Sequence, residues 1–233
     1  MGGPLAPTSG LQTVEKAAAI ADRYAAGLRN PQERYRVFLA DRKAWSHWYG
    51  GAVPSHYAYQ VPLEQIGTDV VLNAATTLGE DHDLQGILTY QFGRVVTLDG
   101  IRSHRPGTAW LAEGLARYIQ ADADPARHTL SAIDMAAAFR GGRKPTTVAL
   151  PQPDQHATPD QWGTFESLGH FAVDCLADTY GEEKLLTFVI RVLREARPQD
   201  DAAREVFGRP FTETDQACAR WTYRELVKIV LGR

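Results

Sequence analysis

The sequence has little of what a disulfide scaffold, a membrane protein or a nucleic-acid binder requires. Two cysteines, Cys175 and Cys218, in 233 residues are too few for a disulfide framework. Both fall in helix-like apolar patterns, so two buried free thiols are expected; a single bridge is compatible with the count but not implied. No run approaches the roughly 18 apolar residues that a membrane helix needs, so no membrane span is expected. The net charge of −3 gives no broad grip on nucleic acid or an anionic membrane, and nucleic acid is not an expected partner. Met1-Gly2-Gly3-Pro4-Leu5-Ala6-Pro7 has neither a basic n-region nor an apolar h-region, so it does not read as a signal peptide. The chain as it stands reads as cytoplasmic, or as extracytoplasmic if an export segment has been removed. There is no G-x-S-x-G, no P-loop, no C-x-x-C pair and no internal repeat.

What is there is ordinary globular material. Apolar residues make up 44% and charged residues 23%, enough at this length to bury a core without disulfides or structural metals. Residues 1–12 read as a flexible tail rich in Gly and Pro, and 13–233 as one domain. Thr13 to Leu28 is an Ala-rich helix with Thr13 as its N-cap. Tyr35–Leu39, Tyr57–Leu63 and Thr68–Leu72 read as short strands, with a short aromatic helix over Lys43–Tyr49. After residue 80 the rhythm changes. Leu84, Ile87, Leu88, Gln91, Phe92 and Val95 follow the i, i+3, i+4, i+7 spacing of an amphipathic helix. Trp110–Tyr118 and Leu130–Phe139 are two more helical stretches. A polar loop over 141–160 precedes helices at about 161–180, 182–196, 199–207 and 212–231, with Gly181 as a stop. A small sheet (about 30–80), motif helices (about 83–120) and a helical C-terminal part (about 160–233) make the expected class α+β.

Three runs carry a resemblance: Thr68-Asp69-Val70-Val71-Leu72-Asn73, Ile87 to Val96, and Trp110-Leu111-Ala112-Glu113-Gly114-Leu115-Ala116. Together they resemble the gluzincin metallopeptidases, most of all the bacterial peptidase MA-like branch. Tyr180-Gly181-Glu182-Glu183, Val206-Phe207-Gly208-Arg209-Pro210-Phe211 and Trp221 extend the likeness over roughly residues 30–233. The resemblance implies a zincin-like fold in which H-E-x-x-H on one helix and a glutamate on the next hold zinc. Two histidines at i and i+4 share a helix face, and the intervening glutamate activates the metal-bound water. Glu113 matches the third ligand. The other positions depart from the pattern: Tyr90 and Arg94 stand at the two histidine positions and Gln91 at the general base. An amide is no useful base, and a permanently cationic guanidinium repels a divalent metal. No metal and no cofactor are therefore expected.

With zinc gone, Glu113 needs a cation, and a bidentate pair with Arg94 is the expected partner. The chain then reads as a zinc-less pseudo-metallopeptidase whose cleft holds a peptide or small molecule through Tyr90, Gln91, Arg94, Glu113 and Glu166. The alternative is a metal-free enzyme in a biosynthetic role, with Tyr90, Arg94, Glu113 and His170 in acid/base or electrostatic work. An active zinc peptidase is the least favoured reading. Glu166, His170 and Asp174 lie at i, i+4 and i+8. They offer an acid/base group or a weak metal site, but a solvated helix face is the expected reading. Trp45, Trp48, Tyr49, Tyr57 and Tyr59 read as packing rather than a ligand pocket. The basic run Arg140-Gly141-Gly142-Arg143-Lys144 reads as a solvated loop.

Overall fold

Ala17, Ala21, Tyr24 and Leu28 are spaced four, three and four residues apart, and all four are buried. The helix that carries the first three, α1 (Pro7–Ala25), lays this stripe against the helix at the centre of the molecule. The computed structural model describes residues 7–49, 58–63, 67–77, 83–99, 101, 107–139, 144–154 and 156–231. The helix begins at Pro7, so residues 7–12 are helical rather than a flexible tail. Proline's fixed φ and missing N–H suit the first helical position, and Gly10 does not break the helix. Residues 1–6 lie outside the described residues.

The sheet has three strands: β1 (Arg36–Ala40), β2 (Ala58–Leu63) and β3 (Gly67–Asn73), in the order β1-β3-β2. β1 runs parallel to β3, with Val37 opposite Val70, while β2 is antiparallel, with Ala58 opposite Leu72. The central position of β3 explains its unbroken apolar run, since Val70, Val71 and Leu72 are all buried. Helix α2 (Arg42–Tyr49) follows β1 and buries Trp45 against Ala40 and Val71. Trp48 is exposed, so of the aromatic group Trp45 is buried and Trp48 is not. The side chains of Tyr49, Tyr57 and Tyr59 lie outside the described residues, as do residues 140–143 of the basic run.

The other regular elements among the described residues are helices: α3 (Ala74–Thr77), α4 (Leu84–Leu98), α5 (Ala109–Ala123), α6 (Ala126–Ala138), α7 (Pro159–Tyr180), α8 (Glu182–Val189), α9 (Gln199–Phe207) and α10 (Phe211–Leu231). A π-helical turn over Ile190–Arg194 extends α8. Asp83 caps α4 by accepting from Gly86 N–H at 2.9 Å. Thr158 and Gln161 form a capping box at the start of α7. Gly181, at φ +86°, ends α7 in a conformation that favours glycine. No helix among the described residues is long and apolar enough to cross a membrane. The class is thus α+β, dominated by helix.

Two close approaches set the helix layout. A Cβ at Gly114 would lie 2.3 Å from the Gly169 carbonyl oxygen, and one at Gly169 would lie 2.8 Å from the Trp110 carbonyl oxygen. Helices α5 and α7 therefore cross backbone to backbone, and an alanine at residue 114 has no room. Gly93 brings α4 onto α5 in the same way: its Cβ would sit 3.2 Å from Ala116 Cα.

Cys175 on α7 and Cys218 on α10 form a disulfide, with Cα atoms 5.6 Å apart. This corrects the expectation of two free thiols. The 43-residue separation carries no signal of pairing in the sequence; the packing of α10 on α7 brings the two sulfurs together. Closing a loop of that length removes about 4 kcal/mol of unfolded-state entropy in the chain-entropy account. Thiol titration of the unreduced, denatured chain is expected to find no free thiol, and reduction to release both. Replacing both cysteines by serine is expected to cost about 2–4 kcal/mol in urea unfolding. Two titratable thiols before reduction would contradict the bridge.

Candidate functional site

Tyr90 and Arg94 stand one turn apart on α4, and α5 presents Glu113 to them from the turn that Gly114 holds against α7. Helix geometry makes residues at i and i+4 neighbours on one face, so both α4 side chains reach the same carboxylate. The Tyr90 hydroxyl donates to Glu113 Oε2 at 2.5 Å. Arg94 Nη2 lies 3.2 Å from Glu113 Oε1. Both oxygens of Glu113 are therefore engaged, and the side chain is only 10% exposed. This carboxylate, which the gluzincin pattern would give to zinc, has its two oxygens occupied by a hydroxyl and a guanidinium.

Arg117, one turn beyond Glu113 on α5, extends the cluster. Its guanidinium carbon lies 4.3 Å from the centre of the Tyr90 ring, a cation–π contact. Its Nη2 pairs with Glu166 on α7, and its Nη1 donates to Gln120 Oε1 at 2.9 Å. Gln120 in turn donates to the Gly86 carbonyl at 2.8 Å, tying α5 to the first turn of α4. Two guanidinium groups thus face two carboxylates around one tyrosine, and the cluster is neutral as a whole. Arg94 Nε is buried without a hydrogen-bond partner. Gln91 follows Tyr90 on α4 and is buried.

Burial pushes the Tyr90 hydroxyl well above its ordinary range, and Glu113 and Glu166 push it further; Arg94 and Arg117 pull the other way. The phenol stays protonated and serves Glu113 as a donor, so it is no base near neutral pH. For Arg94, burial works against the charge, but the neighbouring Glu113 carboxylate outweighs it and holds the guanidinium ionised.

His170 does not join Tyr90, Arg94 and Glu113. It is 1% exposed and lies in a second cluster with Asp174 on the same helix and His128 on α6. The expectation of a solvated face for Glu166, His170 and Asp174 is thus corrected. The stripe faces inward, with Glu166 against Arg117 and His170 between α6 and α7. The reason is the Gly114–Gly169 contact, which presses this face of α7 onto its neighbours. His128 Nδ1 lies 3.0 Å from Asp174 Oδ2 and His170 Nε2 lies 3.5 Å from the same oxygen. Burial lowers the pKa of His170, whereas the Asp174 contact raises that of His128.

Sequence reasoning missed Arg117, although its place one turn after Glu113 was a usable signal. It also missed His128, for which the sequence held none. No family model, no curated protein and no solved structure matches the chain.

Urea unfolding of Arg94→Ala, Glu113→Ala and the double variant measures the central pair. Glu113→Ala strands a buried hydroxyl and a guanidinium and is expected to cost about 3 kcal/mol. Arg94→Ala, at 32% side-chain exposure, is expected to cost less, about 1–2 kcal/mol. The coupling is expected to exceed about 1 kcal/mol. Losses that simply add would mean that the two residues do not meet in solution.

Proposed function

We propose that the chain is a zinc-less relative of the gluzincin peptidases that binds a peptide or small molecule and does not cut it. The observation that carries this reading is the saturation of Glu113, with one oxygen on Arg94 and the other on Tyr90. The placement of strand β3, an i, i+4 pair on α4 and a glutamate on α5 also supports it. In such a site zinc would tie α4 to α5; here an ion pair and a hydrogen bond make the same tie. Metal-assisted hydrolysis needs an activated water and a base, and Tyr90, Gln91 and Arg94 supply neither.

A metal-free enzyme at the same place is less well supported. Tyr90 is held protonated, Glu113 has both oxygens occupied, and His170 lies in a different cluster. The binding role rests on the accessible edge of the cluster. Arg94, Arg117 and Glu166 are 32%, 28% and 23% exposed at their side chains, so fixed charges of both signs reach solvent side by side. That suits a ligand carrying a carboxylate and an amide or amine, as a peptide does. The Cys175–Cys218 disulfide supports the extracytoplasmic alternative, since disulfides persist in oxidising compartments.

Labelled peptides are expected to gain fluorescence anisotropy with the protein and to remain intact by mass spectrometry. Casein and quenched peptides are expected to stay uncut. Cleavage that Glu113→Gln abolishes would overturn the pseudo-peptidase reading.

A further inference from the structure

Away from the Tyr90 cluster, residues of α5, α6, α7, α8 and α10 line an open cavity of about 430 Å³. His128, Asp174, Asp178, Glu182, Glu225 and Trp221 are among the residues that line it. His170 sits behind the wall that His128 and Asp174 form.

We propose that His128, His170 and Asp174 bind a divalent transition-metal ion of the zinc class at the wall of this cavity. This inference does not depend on the pseudo-peptidase reading, and it runs against the expectation that the chain uses no metal.

One potential ligand atom from each of the three residues lies within 4.8 Å of the others. Asp174 Oδ2 is 3.0 Å from His128 Nδ1 and 3.5 Å from His170 Nε2. A tetrahedral ion with bonds near 2.05 Å sets its ligand atoms roughly 3.3 Å apart. The two histidine-to-aspartate separations bracket that value, and the two histidine nitrogens, within 4.8 Å of each other, close on the ion by side-chain rotation.

The second observation is an unmet demand. His170 is 1% exposed, yet its Nε2 has no hydrogen-bond partner, while Asp174 Oδ2, 3.5 Å away, is held by His128 on its other side. A buried nitrogen and a buried carboxylate oxygen thus face one another without a proton aligned between them. Buried polar atoms are seldom left so, and a cation between them satisfies both.

The other ring nitrogen supplies the support a metal site requires. His170 Nδ1 is 3.1 Å from Ser131 Oγ on α6. With Nδ1–H donating to that hydroxyl, the Nε2 lone pair points at Asp174, which is the tautomer a ligand needs. The cation at hand, Arg117, whose charge reaches His170, is itself engaged by Glu166.

Two histidines and one carboxylate are three protein ligands, which leaves a position for water or an added ligand, as in sites where zinc is reactive. His128 and Asp174 both line the cavity, so that position opens onto it. Asp178, Glu182 and Glu225 make the approach acidic and favour entry of a cation. Thiols play no part, because both cysteines are bridged.

The test uses the full chain, stripped with a chelator and titrated with zinc chloride by calorimetry. About one zinc per chain is expected, and cobalt should give the strong visible bands of a four-coordinate ion. His128→Asn and Asp174→Asn, both at partly exposed positions, are each expected to weaken zinc binding roughly tenfold or more. Circular dichroism checks that both variants are folded. Zinc is expected to raise the Tm of the parent chain and not of the variants. Absence of binding, equal affinity in both folded variants, or a cobalt spectrum like that of the hydrated ion would each overturn the proposal.

Discussion

The backbones of α5 and α7 touch where Gly114 meets Gly169, and this contact places the charged side chains of the molecule. A Cβ at residue 114 would lie 2.3 Å from a carbonyl oxygen, closer than any packing tolerates. With the two helices pressed together, Arg117 reaches Glu166 on one side of the crossing. His170 is driven into the space between α7 and α6. Gly93 brings α4 to α5 by the same device, and Glu113 then lies within reach of both Tyr90 and Arg94. Three glycines thus act through what they lack, and what they make room for is two clusters of polar side chains inside a mostly apolar core.

The two clusters solve the problem of buried charge in opposite ways. Around Tyr90 every carboxylate has its own guanidinium, and the phenol supplies a further donor. Desolvation of these groups is costly, and such a cluster persists because each charge is answered at contact distance. Around His170 the arithmetic does not close. One aspartate oxygen faces two histidine nitrogens; His128 holds it, and the buried His170 Nε2 is left without a hydrogen-bond partner. The first cluster is complete without a ligand and the second is not. The place where the gluzincin pattern would put zinc is thus the filled one, and the place with an unmet demand for a cation lies elsewhere.

Much of the helical layout was legible from periodicity. The apolar spacing from Leu84 to Val95 marks α4, and Gly181 marks the end of α7, whose start lies at Pro159 rather than near residue 161. The Arg94–Glu113 contact was legible too, because an inward carboxylate without a metal needs a cation at one-turn spacing from Tyr90, but the expected bidentate pair is not formed: Tyr90 takes the second oxygen. What was not legible depends on contacts between distant segments. A separation of 43 residues says nothing of pairing between Cys175 and Cys218. His128 has no partner at i+4, so only the packing of α6 on α7 brings it to His170 and Asp174. The burial of His170 was hidden for a related reason: polar residues at i, i+4 and i+8 look like a solvated stripe unless the neighbouring helices are known. The helical character of residues 7–12 was masked by a Gly- and Pro-rich composition in which Pro7 acts as a first-turn residue.

The central claim is that Tyr90, Arg94 and Glu113 occupy the geometry of a lost zinc site. The most direct test restores the ligands: Tyr90→His with Arg94→His, in an Asp174→Asn background that removes the second cluster's carboxylate, titrated with zinc by calorimetry. The account predicts about one tightly bound zinc per chain, lost when Glu113→Gln is added, since three ligands at i, i+4 and the facing helix complete such a site. A folded variant that binds no zinc, or whose zinc binding ignores Glu113→Gln, would contradict it.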